Sequence, residues 1–177
     1  MSDAPAVIRS ADESAGGIDL EMMNAAFRDF VPHNKELGLT IIAATVVPPT
    51  VTLKLPFDER LIGNPFTGVI HGGAVTTLLD AACGASVYVK LQEPTPIATL
   101  DLRIDFLGRA PARREITAIA ECIHATADVA FVRAKAFVDD ESKPFALAAA
   151  TFALSTQGRA LTDKEMRNVE PTRGGSQ

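Results

Sequence analysis

The chain has two cysteines in 177 residues, Cys83 and Cys122, both in apolar surroundings and without Cys-x-x-Cys spacing. A disulfide framework or a zinc site is therefore not expected; two small core residues in a reducing compartment are. Basic residues are outnumbered, 17 Lys and Arg against 22 Asp and Glu, for a formal charge of -5. That balance argues against a nucleic-acid-binding surface. No basic segment followed by an apolar run opens the chain, so no secretory signal is expected. Apolar stretches are interrupted before the roughly 18 residues of a membrane span. Internal repeats and low-complexity blocks are also lacking. The expectation is a soluble, cytoplasmic protein with no metal, nucleic-acid or membrane partner, and long enough to bury a sizeable core without staples.

What is present divides into three parts. Residues 1–17 are small, polar and glycine-ended, a leader expected to be disordered. Residues 18–155 carry the periodic pattern of one domain, and 156–177 read as a mobile, polar tail in which Thr162–Glu165 could form a capping box. Within the domain, Ile18 to Val31 predicts a helix with Met23, Phe27, Phe30 and Val31 on one stripe, ended by Pro32. Two strands are expected next, Leu39 to Val47 and Val51 to Phe57, with Pro56 marking an edge or a strand end. Four more follow later: Leu100 to Phe106, Glu115 to His124, Val129 to Val138 and Phe145 to Leu154. In the first of these, Leu100, Leu102, Ile104 and Phe106 alternate with Asp101, Arg103 and Asp105. Short links between the strands imply antiparallel pairing.

Between the two strand groups lies GNPFTGVIHGGAVTTLLDAACGASVYVKL, Gly63 to Leu91. It begins as a turn and becomes a helix whose only polar side chains from Ala74 onward are Thr76, Thr77, Asp80, Ser86, Tyr88 and Lys90. A helix apolar on nearly every side must be surrounded. The fold class that follows is α+β: a long central helix wrapped by a curved antiparallel sheet of five to six strands. A second subunit could cover what the sheet leaves open.

His71-Gly72-Gly73, with Asp80 seven residues after Gly73 and then Ala-Cys-Gly-Ala, resembles the hotdog-fold acyl-CoA thioesterases, most closely the phenylacetate-pathway type. The resemblance extends from Ile18 to Leu154 and includes the TLDLRIDFLGRA strand and loop. It implies hydrolysis of an acyl-CoA thioester, with CoA as part of the substrate and no cofactor. It also implies homodimers with continuous sheets, often paired into homotetramers.

Thioester hydrolysis needs donors for the oxyanion and a base or nucleophile to deliver oxygen. A helix start supplies unpaired N–H groups and a favourable dipole, and glycines let a substrate approach the backbone. In the resembling enzymes the glycine matching Gly72 polarises the carbonyl, beside Gly73, and the acid matching Asp80 is nucleophile or general base. The glycines could otherwise serve only a tight turn. Asp80 could be a structural acid bonded to Thr76, Thr77 or a backbone amide, but a dry setting would suit it as a base. Gly72 and Asp80 lie eight residues apart, which is about 12 Å along a helix. One carbonyl cannot meet both on one helix, so if both residues are catalytic Gly72 must work with Asp80 of a partner subunit.

Further candidates are weaker. Asn64 sits where the family often places an amide, but seven residues before His71, one more than in some relatives, and Gly-Asn-Pro is also a ready turn. His71 could orient substrate or hold its loop. Thr99 matches the family's hydroxyl residue that positions the water or the acid, but a threonine is also an ordinary strand residue. Arg109, Arg113 and Arg114 cluster near where the family meets the CoA nucleotide, Arg109 nearest the strand, though they could equally be a solvated loop charge cluster. His33 and His124 are not expected to be catalytic. Two other readings remain open: a hotdog enoyl-CoA hydratase or dehydratase, disfavoured because no histidine follows Asp80 in the helix, and a non-catalytic acyl-CoA-binding protein, disfavoured by Asp80 itself.

Overall fold

A computed structural model of the chain describes residues 19–93 and 95–156. The leader over 1–17 and the capping box at Thr162–Glu165 lie outside them. Asp19 accepts hydrogen bonds from the Glu21 and Met22 amides and so opens helix α1, Leu20–Asp29. Pro32, expected to end this helix, instead opens a second, α2, Pro32–Glu36. Proline's fixed φ and missing N–H suit a first helical position as well as they forbid an interior one. The expected stripe therefore holds at Met23 and Phe27, which pack on the core, while Val31 is exposed at the break.

The strands are β1 (Thr40–Thr45), β2 (Thr50–Leu55), β3 (Ile62–Asn64), β4 (Val69–Ile70), β5 (Ile97–Phe106), β6 (Ile116–Ala125), β7 (Val129–Phe137) and β8 (Ala146–Leu154). Six form one sheet in the order β1-β2-β6-β7-β8-β5, antiparallel throughout. Pro56 follows the last residue of β2, an interior strand, so it marks a strand end and not an edge. β3 and β4 make a separate small hairpin that the hydrophobic pattern did not foreshadow.

Alternation explains which face is buried. Val51, Leu53 and Leu55 are inaccessible, as are Ile116, Ala118 and Ala120 opposite them. On β7 and β8 the inner row is mostly alanine: Ala130, Ala134, Ala136, Ala146, Ala148 and Ala150. Small side chains there leave room for a helix to lie against the sheet. That helix is α3, Gly72–Leu91, closed by Gln92 in the left-handed conformation. It packs chiefly on β6, β2 and β7, and less on β5, β8 and β1. Val75, Leu78, Leu79, Ala82, Cys83, Val87 and Val89 are buried, and the buried Ser86 hydroxyl donates to the Cys83 carbonyl.

Cover is incomplete. Gly73, Thr76 and Tyr88 are exposed, and Thr77, Asp80 and Gly84 are half-buried, a strip at helical spacing. By length and composition α3 is also apolar enough to cross a membrane, contrary to the expectation that no stretch would be, but half of it is buried inside the protein.

The two edges of the sheet differ. At β1 the side chain of Asn24 from α1 donates to the Ile41 carbonyl at 2.8 Å and accepts from the Ile41 N–H at 2.8 Å. This amide occupies backbone groups that another strand would use, beside the register shift at Ile42. No strand among the described residues pairs the outer edge of β5. Leu78→Ala should lower the free energy of unfolding by about 2–5 kcal/mol in a urea titration. Asn24→Ala should cost about 1–3 kcal/mol, since it strands the Ile41 backbone pair.

Candidate active site

The β3–β4 hairpin delivers the chain to the start of α3. Ile62 pairs with Ile70, and the His71 N–H donates to the Leu61 carbonyl at 2.7 Å. Gly63 is needed here because a Cβ would lie 2.8 Å from the His71 Cα. His71 is the N-cap of α3. Its Nδ1 accepts from the Gly73 N–H at 2.9 Å, and its carbonyl accepts from the Ala74 N–H at 3.0 Å. With Nδ1 as acceptor, the neutral ring carries its proton on Nε2. A Cβ at residue 73 would sit 2.9 Å from that Nδ1, so the glycine makes room for the cap.

These bonds separate the two glycines. The Gly73 amide is taken, whereas the Gly72 N–H has no hydrogen-bond partner among the described residues. It is an open donor at the positive end of a twenty-residue helix. Among the described residues a Cβ at position 72 would meet only Phe106 Cζ, at an ordinary 3.6 Å. Of the two roles considered for His71, holding the loop is the one its hydrogen bonds display.

Asp80 lies two turns further on. It is half-buried in the single chain, not dry as expected, because it sits on the strip that the sheet leaves open. Thr76 and Thr77 are not its partners, since their hydroxyls donate to the Gly72 and Gly73 carbonyls. Its partner is Thr99, whose Oγ1 lies 2.9 Å from Asp80 Oδ1.

Thr99 reaches Asp80 through a β-bulge. Thr99 pairs with Phe152 and Asp101 with Thr151, so Leu100 is an extra residue without a partner. Strict alternation puts Leu100 inward and Thr99 outward. The bulge turns Thr99 toward the helix and leaves Leu100 61% exposed. Beyond it, Leu102, Ile104 and Phe106 face the helix side as expected, in register with Ala150, Ala148 and Ala146. The run from Leu100 could not reveal this. The missed signal was Ile97, an apolar residue out of phase with the later ones.

The remaining candidates are dispersed. The Asn64 side-chain oxygen accepts from the Phe66 and Thr67 amides at 3.0 and 3.3 Å, making the turn that holds the hairpin. Arg113 has φ of 53°, pairs with Glu59 and donates its amide to the Gly68 carbonyl. Arg114 pairs with Asp139 at 2.5 Å. The three arginines therefore do not act as one cluster, and Arg109 is exposed with no ion pair among the described residues. His33 lies on α2, and the His124 ring stacks at 6.2 Å from Phe131. Among the described residues no group of three or more His, Cys, Asp or Glu is placed to hold a metal. A feature that the pattern did not single out is Phe106, the neighbour of Gly72.

Burial, and secondarily the nearby Asp80 charge, pushes the Cys83 thiol up to about 12. Burial also raises Cys122. A raised pKa leaves a thiol protonated below it, so at pH 8 the buried Cys83 thiol stays protonated and unreactive. A thiol-specific disulfide reagent at pH 8 should titrate neither cysteine in the folded protein and both in guanidinium. Rapid titration of the folded chain would contradict the burial described.

The family model of the thioesterase superfamily matches residues 67–145, which span α3 and most of the strands after it. A provisionally assigned esterase of Halobacterium salinarum is 31% identical over 111 residues, covering 60% of this chain and 72% of that protein. A crystal structure of a Pseudomonas aeruginosa protein is 40% identical, covers 76% of this chain and 97% of that one, and superposes with a TM-score of 0.68. The structure of the E. coli PaaI protein from the phenylacetic acid degradation operon is alike in fold, with a TM-score of 0.64 at 20% identity over 76% of this chain and 94% of that one. An antiparallel sheet packed on one long helix, with relatives of this identity and coverage, places the chain in the hotdog-fold thioesterase superfamily.

Proposed function

We propose that this chain is an acyl-CoA thioesterase whose catalytic unit is a homodimer. The observation that carries the proposal is the unpartnered Gly72 N–H at the start of α3, with the Thr99-bonded Asp80 eight residues along the same helix. The thioester carbonyl oxygen accepts from the Gly72 N–H, which sits where the helix dipole favours the negative charge of the tetrahedral state. Asp80 of the partner subunit supplies the second half. It takes a proton from the attacking water, or attacks the carbonyl carbon itself, with Thr99 holding one carboxylate oxygen in either case. CoA leaves as the thiol.

Geometry supports the dimer. Helical rise separates Gly72 and Asp80 by about 12 Å, beyond what one carbonyl bridges. The open edge of β5 supports pairing there, and Asn24 disfavours it at β1. Two copies joined at β5 bring their α3 strips together, because Asp80 lies on the β5 side of its helix. Pairing of such dimers into a tetramer is the next level of assembly proposed. Arg109 is the basic side chain we propose for the CoA phosphates, since Arg113 and Arg114 are engaged by carboxylates. Phenylacetyl-CoA is the first acyl-CoA to try, on the strength of likeness to neighbours named for phenylacetic acid degradation.

Release of thiol from a panel of acyl-CoAs tests the activity. Asp80→Asn should lower the rate by about 10²–10⁴-fold. Gly72→Pro removes the proposed donor at a first helical position where proline is tolerated, and His71 already has the extended backbone that a following proline requires. It should cost about 10²–10³-fold in kcat with little loss of melting temperature. Mixed dimers of the two variants should regain about a quarter of the unmodified activity, since half are heterodimers with one intact site. A monomer with full activity would refute the shared site. Water addition to an enoyl-CoA, or binding without turnover, would replace the hydrolase reading.

A further inference from the structure

We infer that Phe106 is a specificity-determining residue, whose ring forms the wall against which the acyl group lies while its carbonyl meets Gly72. The inference rests on the hydrolase reading and concerns the same site.

Phe106 is the last residue of β5 and belongs to the strand face that looks toward α3. Leu102 and Ile104 on that face are partly buried against the core, but the Phe106 ring is 48% exposed. Among the described residues its Cζ is the only atom within 4 Å of where a Cβ on Gly72 would be, outside the chain neighbours and the helix's own backbone. A half-open aromatic surface thus stands beside the Gly72 amide, which has no hydrogen-bond partner among the described residues. The 3.6 Å gap leaves the amide unobstructed.

A carbonyl that approaches the Gly72 N–H must therefore carry one of its substituents along the ring. The two substituents of a thioester differ. On the sulfur side a short spacer leads to amides, which lose water's hydrogen bonds against an apolar wall. On the acyl side the chain is hydrocarbon from the first atom and gains by covering the ring. The ring also shields the N–H···O bond from water, which strengthens it. The bulge at Leu100 separates this end of β5 from Thr99 at the other. One strand therefore carries a substrate contact near Gly72 and a positioning hydroxyl on Asp80.

The test compares acetyl-, hexanoyl- and phenylacetyl-CoA with the unmodified protein, Phe106→Ala and Phe106→Leu. Phe106→Ala should lower kcat/KM for hexanoyl- and phenylacetyl-CoA by about ten-fold or more, chiefly through KM, and for acetyl-CoA by less than about three-fold. Phe106→Leu should recover hexanoyl-CoA more than phenylacetyl-CoA, because it restores apolar area but not an aromatic face. An equal loss for all three substrates, or none, would overturn the inference and leave the hydrolase reading intact. Thiol release from none of them by the unmodified protein would overturn both. Melting temperatures unchanged in Phe106→Leu exclude general unfolding as the cause.

Discussion

From Ala74 to its end, α3 carries only six polar side chains, so it can meet water along no more than a narrow strip. Burying the rest determines the shape around it. β2, β6, β7 and β8 turn alternate apolar residues inward, and their alanines let the helix lie close. The N-terminal helix α1 packs on β1 and closes that edge with Asn24. The side of α3 toward β5 is left thinly covered, and that is where Asp80 emerges.

The same helix imposes a second constraint at its beginning. Four N–H groups at a helix start lack intrahelical partners. The His71 ring satisfies Gly73 and the His71 carbonyl satisfies Ala74, whereas the Gly72 N–H has no partner among the described residues. Gly63 and Gly73 are glycines because the cap and the hairpin backbone come within van der Waals distance of them. A donor and a carboxylate on one rod, too far apart to meet one atom, are the ground on which a second copy of the chain is proposed as the complement. β5 runs past both, with Phe106 beside Gly72 and Thr99 on Asp80.

Much of the fold was legible in residue order. Periodicity marked the leading helix, the central helix and all six strands of the main sheet, and short links implied the antiparallel pairs β1–β2, β6–β7 and β7–β8, but not that β5 pairs with β8 instead of with β6, its successor in the chain. It misjudged places where local geometry outranks pattern. Pro32 stops one helix and starts another, since the same ring suits a first position. The β3–β4 hairpin is too short to have a period. Around the candidate site, Gly72 and Asp80 were readable as a helix start and a lone acid. That Gly73 is occupied was not, because a cap depends on where an imidazole ring comes to rest.

By itself, the sequence determined that one apolar helix needs a sheet around it and that its glycines and its acid are about 12 Å apart. Those properties follow from composition and from a fixed rise per residue. Packing between distant segments is what turns Thr99 to Asp80, sets Phe106 beside Gly72 and engages Arg113 with Glu59. Each depends on contacts between distant segments or on a bulge. One unpaired residue at Leu100 is enough to reverse the side on which Thr99 lies.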